Sequence, residues 1–203
     1  METVIIDSGG ANLASLQYAF ERLGEKAHVS ADPGRIRAAA RVILPGVGSA
    51  GDAMARLRDR GLTQVLPALT QPVLGICLGM QLMFERSEEA DTECLGIVPA
   101  IVRRLQPAPG RPVPHMGWNQ LATVRDDPLL AGISDRDYVY FVHGFAAPLS
   151  QVTVASTDYG EPLSAVVRRG NFWGTQFHPE RSASVGARIL ANFLGLGQLP
   201  RAG

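Results

Sequence analysis

The fold and the chemistry of this chain depend on one stretch, Gly75-Ile76-Cys77-Leu78-Gly79-Met80-Gln81. An apolar run at residues 71–74 precedes it and is typical of a buried strand, and residues 78–84 have the apolar spacing of a helix start. Cys77 therefore lies on a strand-to-helix turn between two glycines, as in a nucleophile elbow. The positive end of the helix and its free N–H groups would favour the thiolate over the thiol. The alternative is a buried structural cysteine, the commoner fate of a lone intracellular thiol.

The composition argues against several classes of function. The chain has 203 residues, 46% of them hydrophobic, so one larger domain over residues 1–203 with a sizeable core is expected. Lys plus Arg and Asp plus Glu are both 19, and this zero net charge argues against nucleic acid as a partner. We also find no cluster of basic residues suited to a membrane surface and no apolar run as long as a membrane span.

The two cysteines, Cys77 and Cys94, do not make a disulfide framework in a domain of this size. A zinc site would need more Cys and His ligands at close spacing, so no metal and no cofactor are predicted. The chain enters a strand almost at once, at residues 3–7, without the pattern of a signal peptide. We therefore expect a cytoplasmic protein.

The first half of the chain alternates strands and helices. Strands are predicted at residues 3–7, 26–30, 41–44 and 71–74. Helices are predicted at 12–23 with Asn12 as N-cap, and at 33–39, 50–60 and 62–69. Steps this short indicate βαβ units, a mostly parallel sheet and helices on both faces. Ligands bind at the carboxyl ends of the strands in such sheets, so the Pro-Gly-Val-Gly loop at residues 45–48 is expected beside Cys77.

The second half has a different texture. Short strand-like runs at residues 97–105, 120–124, 138–145, 152–157, 164–168 and 171–177 are separated by turn residues. They predict a mixed or antiparallel extension of the sheet, with a hairpin at residues 169–170 and a final helix at 183–194.

A second reactive group follows the last predicted strand, where His178-Pro179-Glu180 stands at the carboxyl end. Pro179 forces His178 into an extended conformation, and residues two apart in extended chain point to the same side. Glu180 could therefore orient the His178 imidazole, and Cys77, His178 and Glu180 would form a nucleophile–base–carboxylate triad. Singly, His178 is better explained as a satisfied strand-end histidine and Glu180 as a solvated carboxylate. Their combination with an elbow cysteine favours catalysis.

Those two motifs resemble the class I (triad) glutamine amidotransferase family. Within it, the chain is similar to the glutaminase subunits of imidazole glycerol phosphate synthases, and the resemblance covers nearly the whole chain. The closer match is carried by Ile5-Ile6-Asp7 with Asn12-Leu13, Leu44-Pro45-Gly46-Val47-Gly48, Pro114-His115-Met116-Gly117-Trp118-Asn119 and Tyr140-Phe141-Val142-His143.

The resemblance implies a three-layer α/β fold and hydrolysis of glutamine. Cys77 would form a glutamyl thioester and release ammonia, His178 would shuttle the proton, and Glu180 would hold His178. The backbone N–H of Leu78 and one from the residue 45–48 loop would bind the oxyanion. Substrate-binding and oxyanion positions carried over from relatives are Gly46, Val47, Gly48, Leu78, Gln81, Glu89, His143 and Gly144. Glu89 suits the α-ammonium group of glutamine, although it could instead be one of an exposed Glu88-Glu89 pair.

The resemblance also implies a partner. Ammonia freed into neutral water becomes mostly ammonium, which is not nucleophilic, so a glutaminase should discharge into a bound (βα)8-barrel synthase subunit, forming a heterodimer. That synthase would make imidazole glycerol phosphate and aminoimidazole carboxamide ribotide in L-histidine biosynthesis. Trp118, Asn119, Tyr140 and Arg181 match positions toward that interface, and core packing is the alternative for Trp118.

Three other functions are considered. One is a glutaminase subunit for another acceptor, such as chorismate or a purine precursor, whose members usually lack the Pro-His-Met-Gly-Trp-Asn stretch. Another is a stand-alone cysteine hydrolase of peptides, which would need no partner. The third is a non-catalytic binding module, which has no reason to keep Cys77, His178 and Glu180 together.

Overall fold

The computed structural model describes residues 2–9, 13–123 and 125–196. Its strands are β1 (Thr3–Ile6), β2 (Ala27–Ser30), β3 (Arg41–Leu44), β4 (Val73–Ile76), β5 (Phe84–Ser87), β6 (Thr92–Glu93), β7 (Val98–Arg104), β8 (His115–Gln120), β9 (Ala122–Thr123), β10 (Tyr138–His143), β11 (Phe145–Ala146), β12 (Thr153–Asp158), β13 (Pro162–Arg169) and β14 (Phe172–Thr175). Its α-helices are α1 (Leu13–Arg22), α2 (Pro33–Ala38), α3 (Ala50–Asp59), α4 (Leu78–Gln81) and α5 (Ala183–Leu196). Single 3-10 turns occupy Leu66–Ala68, Glu89–Asp91, Pro128–Leu130 and Pro179–Arg181.

Within the described residues, eight strands form the central sheet in the order β2-β1-β3-β4-β14-β13-β12-β9. The first five pair in parallel, and β13, β12 and β9 continue the sheet antiparallel. The predicted α/β architecture with a mostly parallel sheet is therefore confirmed. β4 lies between β3 and β14, so the residues that follow these three strands emerge side by side at one sheet edge.

The helices begin where the sequence supplies caps. The Asp32 side chain accepts from the Arg35 N–H at the start of α2, and Ser49 accepts from the Asp52 N–H at the start of α3. Helix α1 agrees with the predicted helix at 12–23, but its predicted N-cap, Asn12, lies outside the described residues.

The sheet divides the core into two layers. Successive residues of a strand point to opposite faces, so Ile6 of β1 packs in one layer and Ile5 in the other. The first layer includes Met54 and Leu57 of α3, and the second includes Phe20 of α1, all of them buried. Burial of one such side chain stabilises the fold by about 1.5–3 kcal/mol. No helix of the described ranges has both the length and the apolar character needed to span a bilayer.

Two groups of strands lie outside the central sheet. Among the described residues, β8 and β10 pair only with each other in an antiparallel two-stranded sheet, which we name the ribbon. Strands β11, β7, β5 and β6 form another sheet. The expectation that residues 97–105 and 138–145 extend the central sheet is therefore wrong. It is right for β12, β13 and β14 and for the hairpin at residues 169–170, where Arg169 pairs with Phe172.

Two predicted helices are shorter than expected. The helix predicted at 78–84 is the single turn α4, because the carbonyls of Leu82, Met83 and Phe84 accept from N–H groups of residues 95, 98 and 96 instead. The helix predicted at 62–69 contains only the 3-10 turn Leu66–Ala68, where Pro67 lacks the N–H that a continuing helix needs. The strand before Cys77 also extends further than predicted, to Ile76.

Candidate active site

Cys77 occupies a strained turn at the carboxyl end of β4. Its φ of 52° and ψ of −110° are unusual for a residue with a side chain, and such strain costs about 1–3 kcal/mol. The Cys77 N–H donates to the Thr175 carbonyl of β14 at 2.7 Å, which continues the strand pairing into the turn. The side chain is consequently lifted from the sheet edge, with 8% of the residue exposed.

Glycines allow three backbone segments to meet beneath this turn. A Cβ on Gly75 would lie 2.7 Å from the Gly79 carbonyl oxygen, and a Cβ on Gly79 would overlap the Leu44 carbonyl at the end of β3. A Cβ on Gly46 would lie 2.8 Å from the Gly79 nitrogen. The loop at residues 45–48 is therefore held directly against α4, as expected from its position after β3.

His178 and Glu180 form an adjacent pair. The His178 Nδ1 lies 2.8 Å from the Glu180 Oε1, and both side chains are about nine-tenths buried. His178 is extended, with φ −97° and ψ 98°, as its position before a proline predicts. Its N–H donates to the Tyr140 carbonyl at 3.0 Å, and its carbonyl accepts from the Ser182 hydroxyl at 2.7 Å. The imidazole is thus fixed by both its backbone and its carboxylate.

The groups around His178 favour its protonated, positively charged form. Burial by itself lowers the pKa of this imidazole, but hydrogen bonds to the Cys77 and Glu180 side chains, and the negative charges of both, raise the pKa to about 10. The cationic form is therefore the stable one beside Cys77 and Glu180 at neutral pH.

The Cys77 sulfur has two further polar neighbours. Its Sγ lies 3.7 Å from the Val142 carbonyl oxygen, which would accept from the sulfur only when Cys77 is a protonated thiol. The Gln176 Nε2 lies 3.9 Å from the sulfur and donates to it. The sequence reasoning assigned no role to Gln176, although it stands two residues before His178 and so faces the same side in extended chain.

A cleft of about 800 Å³ opens over Cys77. It is lined by Cys77, His178 and Glu180 together with every predicted oxyanion and substrate-binding residue: Gly46, Val47, Gly48, Leu78, Gln81, Glu89, His143 and Gly144. Lining residues that the sequence reasoning missed come from α1 (Ser15 and Leu16) and from the chain around the ribbon (Pro114, Val142 and Phe145). Pro114 and Val142 belong to stretches that carry the family resemblance, but nothing in the sequence assigned any of the five to the cleft, since only the packing of α1 and the ribbon brings them to the sheet edge.

The polar side chains in the cleft are already engaged with the protein. The Glu89 Oε2 accepts from the Ala50 N–H at the start of α3 at 2.7 Å, so Glu89 is not simply one of an exposed pair. The Gln81 Nε2 donates to the Phe145 carbonyl at 2.8 Å and to the Gln176 Oε1 at 3.0 Å. The His143 ring bonds to the Phe145 carbonyl and to His115. Among the described side chains, no group of three His, Cys, Asp or Glu residues is arranged to hold a metal ion.

Comparison with known proteins agrees with this geometry. The family model for glutamine amidotransferase class-I matches residues 4–195. The chain belongs to this family.

Two individual relatives within this family share one name. The chain is 58% identical over 193 residues to the "Imidazole glycerol phosphate synthase subunit HisH" of Xanthomonas euvesicatoria pv. vesicatoria, which covers 95% of this chain and 96% of the relative. It is 55% identical to the protein of the same name from Xylella fastidiosa (strain Temecula1 / ATCC 700964), with the same coverage.

Solved structures share the fold at low sequence identity. The "putative gmp synthase subunit a protein" of Thermoplasma acidophilum superposes with a TM-score of 0.75 at 19% identity, covering 98% of this chain and 94% of that chain. The glutaminase domain of Trypanosoma brucei CTPS superposes with a TM-score of 0.69 at 16% identity, with the same coverage of both chains.

One further surface of this class I glutamine amidotransferase lies near the cleft. The outward face of the ribbon carries Met116, Trp118, Tyr138 and Tyr140, and Met116 and Trp118 are 66% and 52% exposed. The Trp118 and Tyr140 rings meet edge to face at 5.9 Å, and the Arg181 Cζ lies 4.6 Å from the Tyr140 ring centroid. The alternative of core packing for Trp118 is therefore wrong.

Asn119 has the opposite orientation. It lies on the inward face of the ribbon, where its Nδ2 donates to the Asp158 carbonyl at 2.8 Å. Of the predicted interface residues, Trp118, Tyr140 and Arg181 thus form one outer patch, and the Asn119 side chain points away from it.

Proposed function

We propose that this chain is the glutaminase subunit of an imidazole glycerol phosphate synthase and works in L-histidine biosynthesis. It would hydrolyse glutamine to glutamate and ammonia and pass the ammonia to a (βα)8-barrel synthase subunit. The relatives described above carry the name of such a subunit and match nearly the whole chain. They favour this acceptor over chorismate or a purine precursor, and family membership favours glutamine over peptides as the substrate.

The observation that carries the chemistry is the placement of Cys77 on its strained turn against the His178–Glu180 pair inside a cleft. The Cys77 sulfur would attack the side-chain amide carbon of glutamine. His178, which already holds the proton taken from the thiol, would deliver it to the departing nitrogen, so that ammonia leaves and a glutamyl thioester forms. His178, now neutral, would take a proton from water as the water oxygen attacks the thioester, so that glutamate leaves and the thiolate–imidazolium pair is restored. Glu180 would keep the His178 ring oriented and stabilise its cation.

The tetrahedral intermediate needs hydrogen-bond donors for its oxyanion. We propose the backbone N–H of Leu78 and one from Val47 or Gly48. Close packing of Gly46 on Leu78 and Gly79 supports this, because it holds the loop beside the start of α4. The φ of Gly48 is +90°, a conformation that residues with a side chain rarely adopt, so the loop needs a glycine at that position.

Glutamine itself would be held by the walls of the cleft. The Glu89 carboxylate suits the α-ammonium group, and the Ala50 N–H that it accepts fixes its position. Gly46, Gln81, His143 and Gly144 would contact the substrate by shape and backbone groups, because the Gln81 amide nitrogen and the His143 ring are committed to internal hydrogen bonds.

The synthase would dock on the outward face of the ribbon, with Trp118, Tyr140 and Arg181 as contacts. Exposed aromatic and arginine side chains are the residues that most often dominate interface energetics. Asn119, whose side chain lies on the inward face of the ribbon, would support this surface without contacting the synthase directly. We further propose that the two subunits form a heterodimer, because ammonia must reach the synthase before it is protonated in bulk water. The complex would be cytoplasmic and would have overall lyase activity.

The proposal is tested with the variant Cys77→Ala, assayed with a barrel synthase and its ribonucleotide substrate. Glutamine-dependent synthesis should fall below detection, while synthesis from added ammonium salts should keep the wild-type rate, because only the ammonia source is removed. Loss of both activities would make Cys77 structural, and retention of glutamine-dependent synthesis would refute it as the nucleophile. Full glutaminase activity of the lone chain would refute the dependence on a partner.

A further inference from the structure

A continuous series of buried and partly buried hydrogen bonds joins the inward face of the ribbon to the Cys77 sulfur. It begins at Asn119, whose Nδ2 lies 3.4 Å from the His115 Nε2, and the His115 Nδ1 lies 3.0 Å from the His143 Nε2. The His143 Nδ1 lies 2.9 Å from the Phe145 carbonyl oxygen. That oxygen also accepts from Gln81, which bonds to Gln176, which in turn donates to the sulfur.

The donor and the acceptor of each histidine hydrogen bond in this series follow from one group, the Phe145 carbonyl oxygen. A carbonyl oxygen only accepts, so the His143 Nδ1 carries the proton that it shares with Phe145. In a neutral ring the His143 Nε2 is then the acceptor, and the His115 Nδ1 must donate to it. The His115 Nε2 is left as an acceptor, which matches the amide donor that Asn119 presents.

The same carbonyl orients the two glutamine amides. If the Gln81 amide were reversed, its oxygen would face the Phe145 oxygen at 2.8 Å, so the nitrogen must face it. The second Gln81 N–H then meets the Gln176 Oε1, and the Gln176 nitrogen is left facing the Cys77 sulfur. The orientation of the Gln176 donor beside the nucleophile is therefore set by the Phe145 carbonyl, two hydrogen bonds away from Gln176.

We propose that His115 and His143 are positioning residues for the glutaminase reaction, which hold the Phe145 carbonyl and thereby aim the Gln176 N–H at the Cys77 sulfur. A donor at that point stabilises the thiolate before it attacks and when it is expelled. This proposal rests on the proposed function of Cys77 as the nucleophile.

The surroundings keep both rings neutral, as the chain of bonds requires. His115 is stacked between the Phe141 and Tyr159 rings, with centroids at 4.8 and 3.9 Å. Burial lowers the pKa of His115 to about 4. Burial also lowers the pKa of His143 to about 4, against the opposing effect of the Phe145 carbonyl. With these tautomers, a proton added at the His143 Nε2 would face the His115 N–H, and one added at the His115 Nε2 would face the Asn119 amide N–H.

Two amide variants of His115 separate positioning from packing. His115→Asn keeps a nitrogen donor on the γ-carbon, where the ring has its Nδ1, whereas His115→Gln has only carbon there. Measured as the complex with a barrel synthase, H115Q should lower kcat for glutamine hydrolysis about 10-fold with KM within about 2-fold. H115N should restore kcat to within about 3-fold of wild type. His28→Phe, at a partly exposed position of β2, provides a control that should change neither value.

The nucleophile can also be observed directly. Iodoacetamide alkylation of the free full-length chain, with peptide mapping to distinguish Cys77 from Cys94, should be about 5–10-fold slower in H115Q than in H115N at pH 7. In a double-mutant cycle, Gln176→Met should lower kcat about 10-fold, and adding H115Q should lower it no further, because both changes remove the same donor.

Four outcomes would overturn the proposal: wild-type kcat in H115Q, equal losses in H115N and H115Q, additive losses in the cycle, or alkylation rates that do not differ. If Cys77→Ala abolishes hydrolysis while H115Q does not impair it, this inference fails and the proposed function stands. Hydrolysis that persists in Cys77→Ala refutes both.

Discussion

The Cys77 turn and the ribbon lie on either side of the same cleft and are held in place by different kinds of contact. The turn is fixed by backbone packed against backbone, with Gly46, Gly75 and Gly79 leaving no room for a Cβ. The ribbon is fixed on its inward face by His115, Phe141 and His143, and its outward face is open. The turn can therefore hold a strained residue, whereas the ribbon leaves aromatic surface for a partner.

Under the proposed function, the two regions would have different tasks. A nucleophile needs a position accurate to a fraction of an ångström, and interlocked main chains supply it. A docking surface needs exposed apolar area instead, and a strand pair outside the central sheet supplies that without weakening the sheet. Four predictions test the contrast, from the largest expected effect to the smallest.

The backbone packing under the turn predicts that Gly79→Ala destabilises the protein severely. The added Cβ would overlap the Leu44 carbonyl, which belongs to the central sheet and cannot move aside, so the free energy of unfolding should fall by about 3 kcal/mol or more. Urea denaturation measures the change. Gly51→Ala in α3, whose Cβ would meet only the Thr92 hydroxyl at 3.6 Å, is the control and should leave stability equal or higher. Equal effects of the two changes would contradict the close packing.

The His178–Glu180 bond predicts that Glu180→Gln lowers kcat for glutamine about 10²-fold, because the imidazole loses its anionic partner and its fixed tautomer. The pKa of His178 should also fall from about 10, which NMR titration of the ring measures. Glu88→Gln is the control, since the Glu88 carboxylate accepts from the N–H of Arg104 in β7, a strand of the separate four-stranded sheet. An unchanged His178 titration in E180Q would contradict the account.

The open face of the ribbon predicts that Trp118→Ala weakens synthase binding by about 2 kcal/mol, or roughly 30-fold in Kd. Calorimetric titration measures the affinity. The free energy of unfolding should stay within about 0.5 kcal/mol of wild type, because the side chain is half exposed. Tyr18→Ala, which removes an aromatic ring 60% exposed on α1, provides a matched control and should leave Kd unchanged. A large loss of stability in W118A would place Trp118 in the core after all.

The buried histidines of the ribbon predict a loss of stability in mild acid. Their pKa of about 4 lies below the ordinary 6.5, so the unfolded chain binds protons first as the pH falls. His115 should contribute its full stability above about pH 6.5 and lose about 2 kcal/mol of it as the pH falls to 4.5. Urea denaturation at several pH values measures this, and H115N should show a smaller decline. A parallel decline in both proteins would mean that His115 is protonated in the fold.

The sequence predicted the turn well because its determinants are local. Glycines on both sides of Cys77, an apolar strand before it and a proline after His178 specify conformation within a few residues. The carboxyl-end rule for parallel sheets then predicts that the loop at residues 45–48 lies beside the cysteine, and the structure places it there.

The ribbon could not be predicted in the same way. Strand β8 was missed because His115, Gly117 and Asn119 alternate with exposed Met116 and Trp118, a polar-inward pattern opposite to that of a half-buried strand. The pairing of β8 with β10, and hence the meeting of His115 with His143, joins residues 28 positions apart. The role of Gln176 was missed for a related reason, since its partner Gln81 is 95 positions away.

The ribbon also affects how the chain behaves in solution when no partner is bound. Within the described residues each of its two strands pairs on one side only, and its outward face exposes Met116, Trp118 and Tyr138. Unpaired strand edges beside an apolar patch promote association between identical copies. The isolated chain should therefore be hard to concentrate, and, if the proposed partner is right, production together with a barrel synthase should raise its soluble yield. In the cell, this would favour keeping the amounts of the two subunits closely matched.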